Sequence, residues 1–264
     1  MNIDDHLVFN QHFFQHALEY KPNSRALSLL TKLFQKKAFT LPLMVFEKAI
    51  TFILNLRIPI YSDIVLSLVS NLPGLPKMLG CYIRGLYYKG ALQKLEPNVL
   101  IEQGATFSNP HNVQLSEFSF IDKYVIIAAE KATIGRRVHI APFVIITGGG
   151  EFIIEDYACM ATGSRAITAT ESLKPNTRSS GPMVSQSQRD VIKGKVHIKK
   201  DAFIAVGVTI LTNSTVDEGA VLAANVVHSG NTEEWKYYVT KDSQQKPIRT
   251  QAFKRRKKLD LPDA

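Results

Sequence analysis

The sequence predicts a mainly β protein: a left-handed parallel β-helix of hexapeptide repeats behind an α-helical N-terminal region. Three observations predict it. Aliphatic residues recur at every sixth position in the second part of the chain. Small or β-branched residues recur four places after each of them. The first 95 residues lack this grammar and read as helices.

The clearest run is Ile198, Ile204, Ile210, Val216 and Leu222, with Ala202, Val208, Ser214, Ala220 and Val226 four places on. Leu115, Ile121 and Ile127 form an earlier set, with Ser119 and Val125. Ile134, Ile140 and Ile146 form another, with Val138 and Val144. Ile154, Met160 and Ala166 form a third, with Ala158, Ser164 and Thr170. The geometry behind this is simple. Each unit is a short strand plus a corner, and three units close one triangular coil. The first residue points into the prism, and the fifth sits where only a small side chain fits. Stacked coils bury a continuous aliphatic column, so each depends on its neighbours.

The register breaks carry information too. An extra residue separates Ile127 from Ile134. More separate Ile146 from Ile154, where Gly148, Gly149 and Gly150 allow a wider turn or a close backbone approach. The large break is 172–195, a polar stretch with Pro175, Gly181, Pro182 and Gly194 and no repeat. It reads as a loop extruded from the coil, and long loops in compact domains are usually functional. The chain thus divides into a helical region 1–95, a β-helix domain 96–240 and a basic tail 241–264.

Within the helical region, Ser24 is placed to cap a helix over 25–37, with Leu27, Leu30, Leu33 and Phe34 on one face. A second apolar segment, 41–58, is interrupted by Glu47, Lys48 and Arg57, which argues against a membrane span. Ser62 or Asp63 would cap a third helix ending near Pro73. The stretch 75–95 mixes Lys77, Arg84, Lys89 and Lys94 with Tyr82, Tyr87 and Tyr88. It fits contact with a membrane interface or packing on the next domain. Gly80, Gly85 and Gly90 weaken it as an isolated helix and favour packing.

Composition bounds the function. The formal net charge is +9, and 254–258 reads Lys-Arg-Arg-Lys-Lys, a run suited to a solvated tail or to an anionic surface. No nucleic-acid-binding motif accompanies the charge, so no nucleic-acid partner is expected. Two cysteines, Cys81 and Cys159, are too few for a disulfide framework. The N-terminus lacks the basic and apolar regions of a secretory signal. Both facts point to a cytoplasmic protein.

Three segments carry a resemblance to a known family. They are GRRVHIAPFVIITGGG over 135–150, ITATES over 167–172, and VHIKKDAFIAVGVTILTNSTVDEGAVLAANVV over 196–227. These resemble the hexapeptide-repeat acyltransferases, and among them the sugar acetyltransferases of bacterial surface polysaccharide and lipopolysaccharide biosynthesis. The resemblance covers about 96–240. It implies a homotrimer with acetyl-CoA, the acyl donor, lying between adjacent prisms. It implies a sugar acceptor, nucleotide-linked or lipid-linked, near the extruded loop, and no metal. Small residues would let the pantetheine arm approach the coils, which on this chain are Ala205, Gly207, Ala223 and Ala224. Lys241 stands where the family places a basic residue for the nucleotide end of the cofactor. The helical leader and the basic tail suit peripheral contact with the inner membrane face.

This chain departs from the family at two places. Before Lys241 the family's Gly-Asn-Pro-Ala-like turn is replaced by Tyr238-Val239-Thr240. The other place is more informative. Many acetyltransferases of this group carry a histidine base in a Thr-Ala-Thr-His-Pro context, and some have acidic residues near this point. Here the stretch reads Thr168-Ala169-Thr170-Glu171-Ser172, so a carboxylate stands where the imidazole would be. Of the seven histidines, His139 is the preferred base. It closes the unit that begins at Ile134, at a corner, and imidazole titrates near neutrality. His197 faces outward, and His228 follows the last good coil. Glu171 is the alternative base, or a ligand for the acceptor's amino or hydroxyl group. It holds the sixth place of its unit, at a different corner from His139. The two could meet only across subunits. A sugar amine needs a base less than a hydroxyl does, which inclines the site toward N-acylation. Rival readings are a non-catalytic trimeric scaffold and a γ-type carbonic anhydrase, the latter weakened because no His pair lies within one coil.

Overall fold

From Lys94 onward the inward aliphatic positions impose one path. Each short strand ends on a buried residue, the chain turns a corner, and the next strand lies on the next face. The result is a parallel β-solenoid of about seven turns. The computed structural model describes residues 3–240, apart from 57, 59, 72–76, 173, 176, 180 and 182, together with 250–254. Lys241 and the basic residues 255–258 lie outside the described residues.

Three sheets form the faces. The first face stacks Lys94–Leu95, Val113–Leu115, Lys131–Ile134, Glu151–Ile154, Lys195–Ile198 and Ser214–Val216. The second runs from Leu100–Ile101 through His139–Ile140 and Cys159–Met160 to Lys236–Thr240. The third runs from Thr106–Phe107 through Arg165–Ile167 to Val227–His228. Parallel registers such as Ile134↔Ile154 and Ile154↔Ile198 align the inward residues into a column. Ile134, Ile140, Ile146, Ile198, Ile204 and Ile210 are fully buried. Each such side chain contributes about 1.5–3 kcal/mol relative to exposure.

At the first two corners of each coil the chain turns on one left-handed residue, three places after the inward one. Asn98, Phe118, Arg137, Tyr157 and Asp201 occupy the corner between the first two faces, all with φ between 55° and 64°. Tyr124 and Phe143 occupy the next corner, with φ of 58° and 62°. A non-glycine residue there costs about 1–2 kcal/mol. The bulky corner residues offset part of that by packing on one another. Tyr124 and Phe143 stack with centroids 5.4 Å apart, and the Arg137 guanidinium lies 4.8 Å from the Phe118 ring centre.

Every departure from the six-residue spacing falls at the third corner, where the third face returns to the first. The insertions between Phe107 and Leu115, Ile127 and Ile134, Ile146 and Ile154, and Ala166 and Ile198 all stack there. The extruded segment is a hairpin arm. Ala169–Glu171 pairs antiparallel with Val191–Lys193.

Two expectations of register need correction. Thr170 is exposed on the arm, because the chain leaves the coil after Ile167, and Thr168 is the buried residue instead. His228 does not follow the last coil but points into it, in register with Ile210 and only 5% exposed. The solenoid also begins one coil earlier than the first repeat set, with Leu95, Ile101 and Phe107.

Burial holds the His228 imidazole below its ordinary value of 6.5, against weaker support from the Gly230 and Thr215 backbone. The unfolded chain then binds this proton more readily than the folded one. Stability is therefore complete above about 6.5 and is lost as pH falls below it. Thermal melts on either side of that pH should show the loss, and His228→Phe should flatten the pH dependence.

Five helices precede the solenoid: α1 (Gln11–Tyr20), α2 (Arg25–Phe34), α3 (Lys37–Leu54), α4 (Tyr61–Asn71) and α5 (Lys77–Ala91). Asn10 caps α1, a helix not anticipated from the sequence, its side chain accepting from the His12 N–H. Ser24 caps α2 as expected, accepting from the Leu27 N–H, worth about 1 kcal/mol. The helix expected over 41–58 starts and ends earlier, as α3. Ser62 lies inside α4 and donates to the Ile58 carbonyl rather than capping. Pro73 lies outside the described residues.

Helix α5 seals the first coil, as its glycines suggested. Tyr88 donates to the Ala105 carbonyl at 3.1 Å, and the buried Arg84 donates through Nε to the Ile101 carbonyl at 2.6 Å. A Cβ on Gly85 would collide with Val8, and one on Gly90 with Asn55. Helix α3 turns Thr40, Met44 and Glu47 inward. Glu47 accepts from the Val8 N–H and the Tyr82 hydroxyl, both at 2.9 Å. Burial pushes its carboxyl up, opposed by the Lys89 charge. Among the described residues no helix is long and apolar enough to cross a membrane.

Candidate active site

The third corner is built for close backbone approach. Gly148 has φ of 114°, and a Cβ on Gly150 would collide with the carbonyls of Thr168 and Gly194. Thr168, fully buried, clamps the base of the arm. Its Oγ1 accepts from the Gly150 N–H and donates to the Thr147 carbonyl, both at 2.9 Å. Its carbonyl accepts from the Gly194 N–H at 2.8 Å and the Thr212 hydroxyl at 3.1 Å. Lys193, on the returning strand, meets Glu130 at 2.6 Å and holds that carboxyl below its usual range.

Glu171 stands on this arm, paired in register with Val191. It is not at a coil corner, because the arm breaks the phase of the repeat after Ile167. One of its carboxylate oxygens, Oε2, is buried and has no hydrogen-bond partner among the described residues. A buried carboxylate oxygen without a donor is costly. Such a group is suited to receive a donor from a bound molecule.

His139 lies within a strand of the second face and not at a corner. Its ring stacks on Phe120 with centroids 4.9 Å apart and an 8° tilt. Nε2 stands 3.4 Å from Asp122 Oδ2, and the side chain is 43% exposed. The adjoining strand aligns Cys159 with it, whose thiol is pushed up by burial. No hydrogen bond or ion pair joins His139 to Glu171 within the chain; His139 stands on the second face and Glu171 on the arm.

Ala205, Gly207, Ala223 and Ala224 lie at the corner between the second and third faces. Gly207 has φ of 70°, and a Cβ there would collide with the Asn225 side-chain oxygen. Ala224 is exposed, and the other three are half-buried. The four are small residues at this corner, beside the exposed Val206.

One pair escaped the sequence reading. His197 faces outward, as expected, but its Nε2 meets Glu155 Oε1 at 2.6 Å, while Glu155 Oε2 accepts from the Lys200 N–H at 3.1 Å. The signal was present. His197 precedes inward Ile198, Glu155 follows inward Ile154, and those two isoleucines stack. Among the described residues no group of three or more His, Cys, Asp and Glu stands where it could hold a metal.

No family model matches the chain, and no curated protein matches it. Solved structures do. A point variant of AntD, an N-acyltransferase from Bacillus cereus, in complex with dTDP and coenzyme A, is 26% identical. The match covers 64% of this chain and 88% of that one, with a TM-score of 0.56. Another variant of that enzyme, with dTDP-4-amino-4,6-dideoxyglucose and coenzyme A, is 27% identical over 64% and 87%, with a TM-score of 0.56. AntD with dTDP and 3-hydroxybutyryl-CoA is 27% identical over 64% and 86%, with a TM-score of 0.55.

The fold and these likenesses define a class: a hexapeptide-repeat β-solenoid whose structural neighbours are acyltransferases. Within that class, the chain is similar to a sugar N-acyltransferase in both structure and sequence.

Proposed function

We propose that the protein transfers an acyl group from an acyl-CoA thioester to the amino group of a nucleotide-linked sugar. The observation that carries this reading is the likeness to AntD, which spans most of that enzyme and was solved with both kinds of substrate. In the reaction the amine lone pair attacks the thioester carbonyl. The new C–N bond forms, the C–S bond breaks, and coenzyme A leaves as its thiol after gaining the proton the amine gives up.

Glu171 is assigned to the acceptor. Its unpartnered Oε2 receives an N–H of the amine and takes the proton as the amide forms. His139, held by Asp122 and Phe120, is the second candidate base, supplied across a homotrimer interface. The edge formed by Ala205, Gly207, Ala223 and Ala224 receives the pantetheine arm between two prisms, and Lys241 the nucleotide end of the donor. A cytoplasmic protein at the inner membrane face, serving surface polysaccharide or lipopolysaccharide biosynthesis, fits this chemistry.

Thiol release from acyl-CoA tests the reading, with acetyl-CoA and 3-hydroxybutyryl-CoA as donors. Acceptors are nucleotide-linked amino sugars beside their hydroxy counterparts. Release with amino sugars alone supports it. Release only with hydroxy sugars replaces N- by O-acylation. Absence of any coenzyme A binding leaves the scaffold reading. Ala224→Trp checks the donor edge. It should raise KM for acyl-CoA about tenfold or more while leaving Tm unchanged, because the position is exposed.

A further inference from the structure

The outer side of α3 is apolar along its length, although the helix lies at the surface. Leu41, Val45 and Phe52 fall on one line of the helix, with Phe46 and Ile53 beside them. Their exposures run from 48% for Ile53 to 70% for Phe52. The inner side is already used, since Thr40, Met44 and Glu47 face the interior. Leu43, Ile50 and Leu54 pack against the same interior, so the helix is apolar on both sides, which a helix whose only task is to cover a core does not need. A continuous exposed stripe of large apolar residues marks an interaction surface.

Charge selects the occupant. The charged residues exposed on α3 are Lys37 and Lys48, which border the stripe, while Glu47, its one acid, is buried. Neighbouring α4 adds exposed Ile64, Leu66 and Leu68, with Asp63 as its only acid. A shallow hollow beside the stripe is lined by Lys48, Phe52, Lys89 and His6. The chain as a whole carries +9. Aromatic and aliphatic residues bordered by lysines are the pattern of a helix that lies in a bilayer interface. No helix among the described residues is of spanning type.

We propose that the helical region docks on an anionic membrane surface through α3, with Leu41, Val45 and Phe52 entering the acyl boundary and Lys37 and Lys48 meeting the headgroups. The inference rests on the peripheral membrane contact proposed above and gives that contact its surface. It moves the contact away from α5, where Cys81, Arg84, Leu86 and Tyr88 are buried against the rest of the protein.

Flotation of the full chain with vesicles tests it. The vesicles are phosphatidylcholine alone or with phosphatidylglycerol. The wild type should float with the anionic vesicles and be released by salt. Val45→Asp with Phe52→Asp should reduce flotation at least about tenfold. Lys37→Glu with Lys48→Glu should abolish the preference for anionic lipid. All four positions are exposed, so Tm and thiol release with soluble acceptors should be unchanged. Wild type that stays off both vesicle types overturns the proposal. So does an aspartate pair that floats normally, or one that changes the molar mass by light scattering, which would make the stripe a contact between copies. Failure of the sugar chemistry would show in thiol release alone and leave the flotation result standing.

Discussion

Glu171→Gln should lower kcat/KM for an amino-sugar acceptor by about a hundredfold, with little change in Tm. The substitution keeps the shape of the side chain and removes its charge. If Glu171 takes the amine proton, the loss falls mainly on kcat. If it only orients the acceptor, the loss falls on KM. Steady-state thiol release at varied acceptor concentration separates the two. An unchanged kcat/KM would remove Glu171 from the site and turn attention to His139. The prediction is sharp because Oε2 is buried without a partner among the described residues. A buried oxygen held by a structural partner would be expected to lose stability on substitution, and Oε2 should not.

Gly150→Ala should be the most damaging single methyl in the protein. The added Cβ would meet two backbone carbonyls, those of Thr168 and Gly194, which cannot swing aside as a flexible side chain does. Gly150 also donates to the Thr168 hydroxyl, so displacement breaks the clamp at the arm's base. A cost of about 3 kcal/mol is expected, read as a fall in the denaturation midpoint. Activity should fall further than the folded fraction does, because the arm that carries Glu171 springs from the same point. Gly149, whose Cβ would meet nothing within 4 Å, is the control. Its φ of 77° makes Gly149→Asn milder than Gly150→Ala, since asparagine tolerates that conformation better than other side chains.

The difference between what was legible and what was not follows from where the physics acts. The inward positions accept only aliphatic side chains, so their six-residue recurrence shows in the sequence without knowledge of what stacks on what. The first coil escaped because Leu95, Ile101 and Phe107 end in an aromatic and run into the turn Pro110–Asn112. The departure of Thr170 escaped because Ala166 to Thr170 keeps the repeat's spacing while the chain already pairs with Val191–Lys193. That pairing is antiparallel and tertiary, and nothing local announces it. The same holds for His197 and Glu155, which are joined only once Ile154 and Ile198 stack across the whole arm. In the helical region, Ser24 was readable as a cap because its effect is local. The exposed apolar stripe of α3 needed the buried positions of Glu47 and Met44 to show which side of an all-round apolar helix faces out.

The confinement of every insertion to one corner has a consequence for how such a chain can change. A residue added anywhere else would rotate all following inward positions onto the wrong place and expose the column. At the third corner the ladder is already interrupted, so added length is absorbed before the next strand begins. That edge is the one place where the protein can gain, lose or exchange whole segments while its interior stays as it is. The arm bearing Glu171 grows from it. On the proposed assignment, acceptor preference can therefore drift quickly in this architecture while the donor edge, bound into uninterrupted coils, is held fixed.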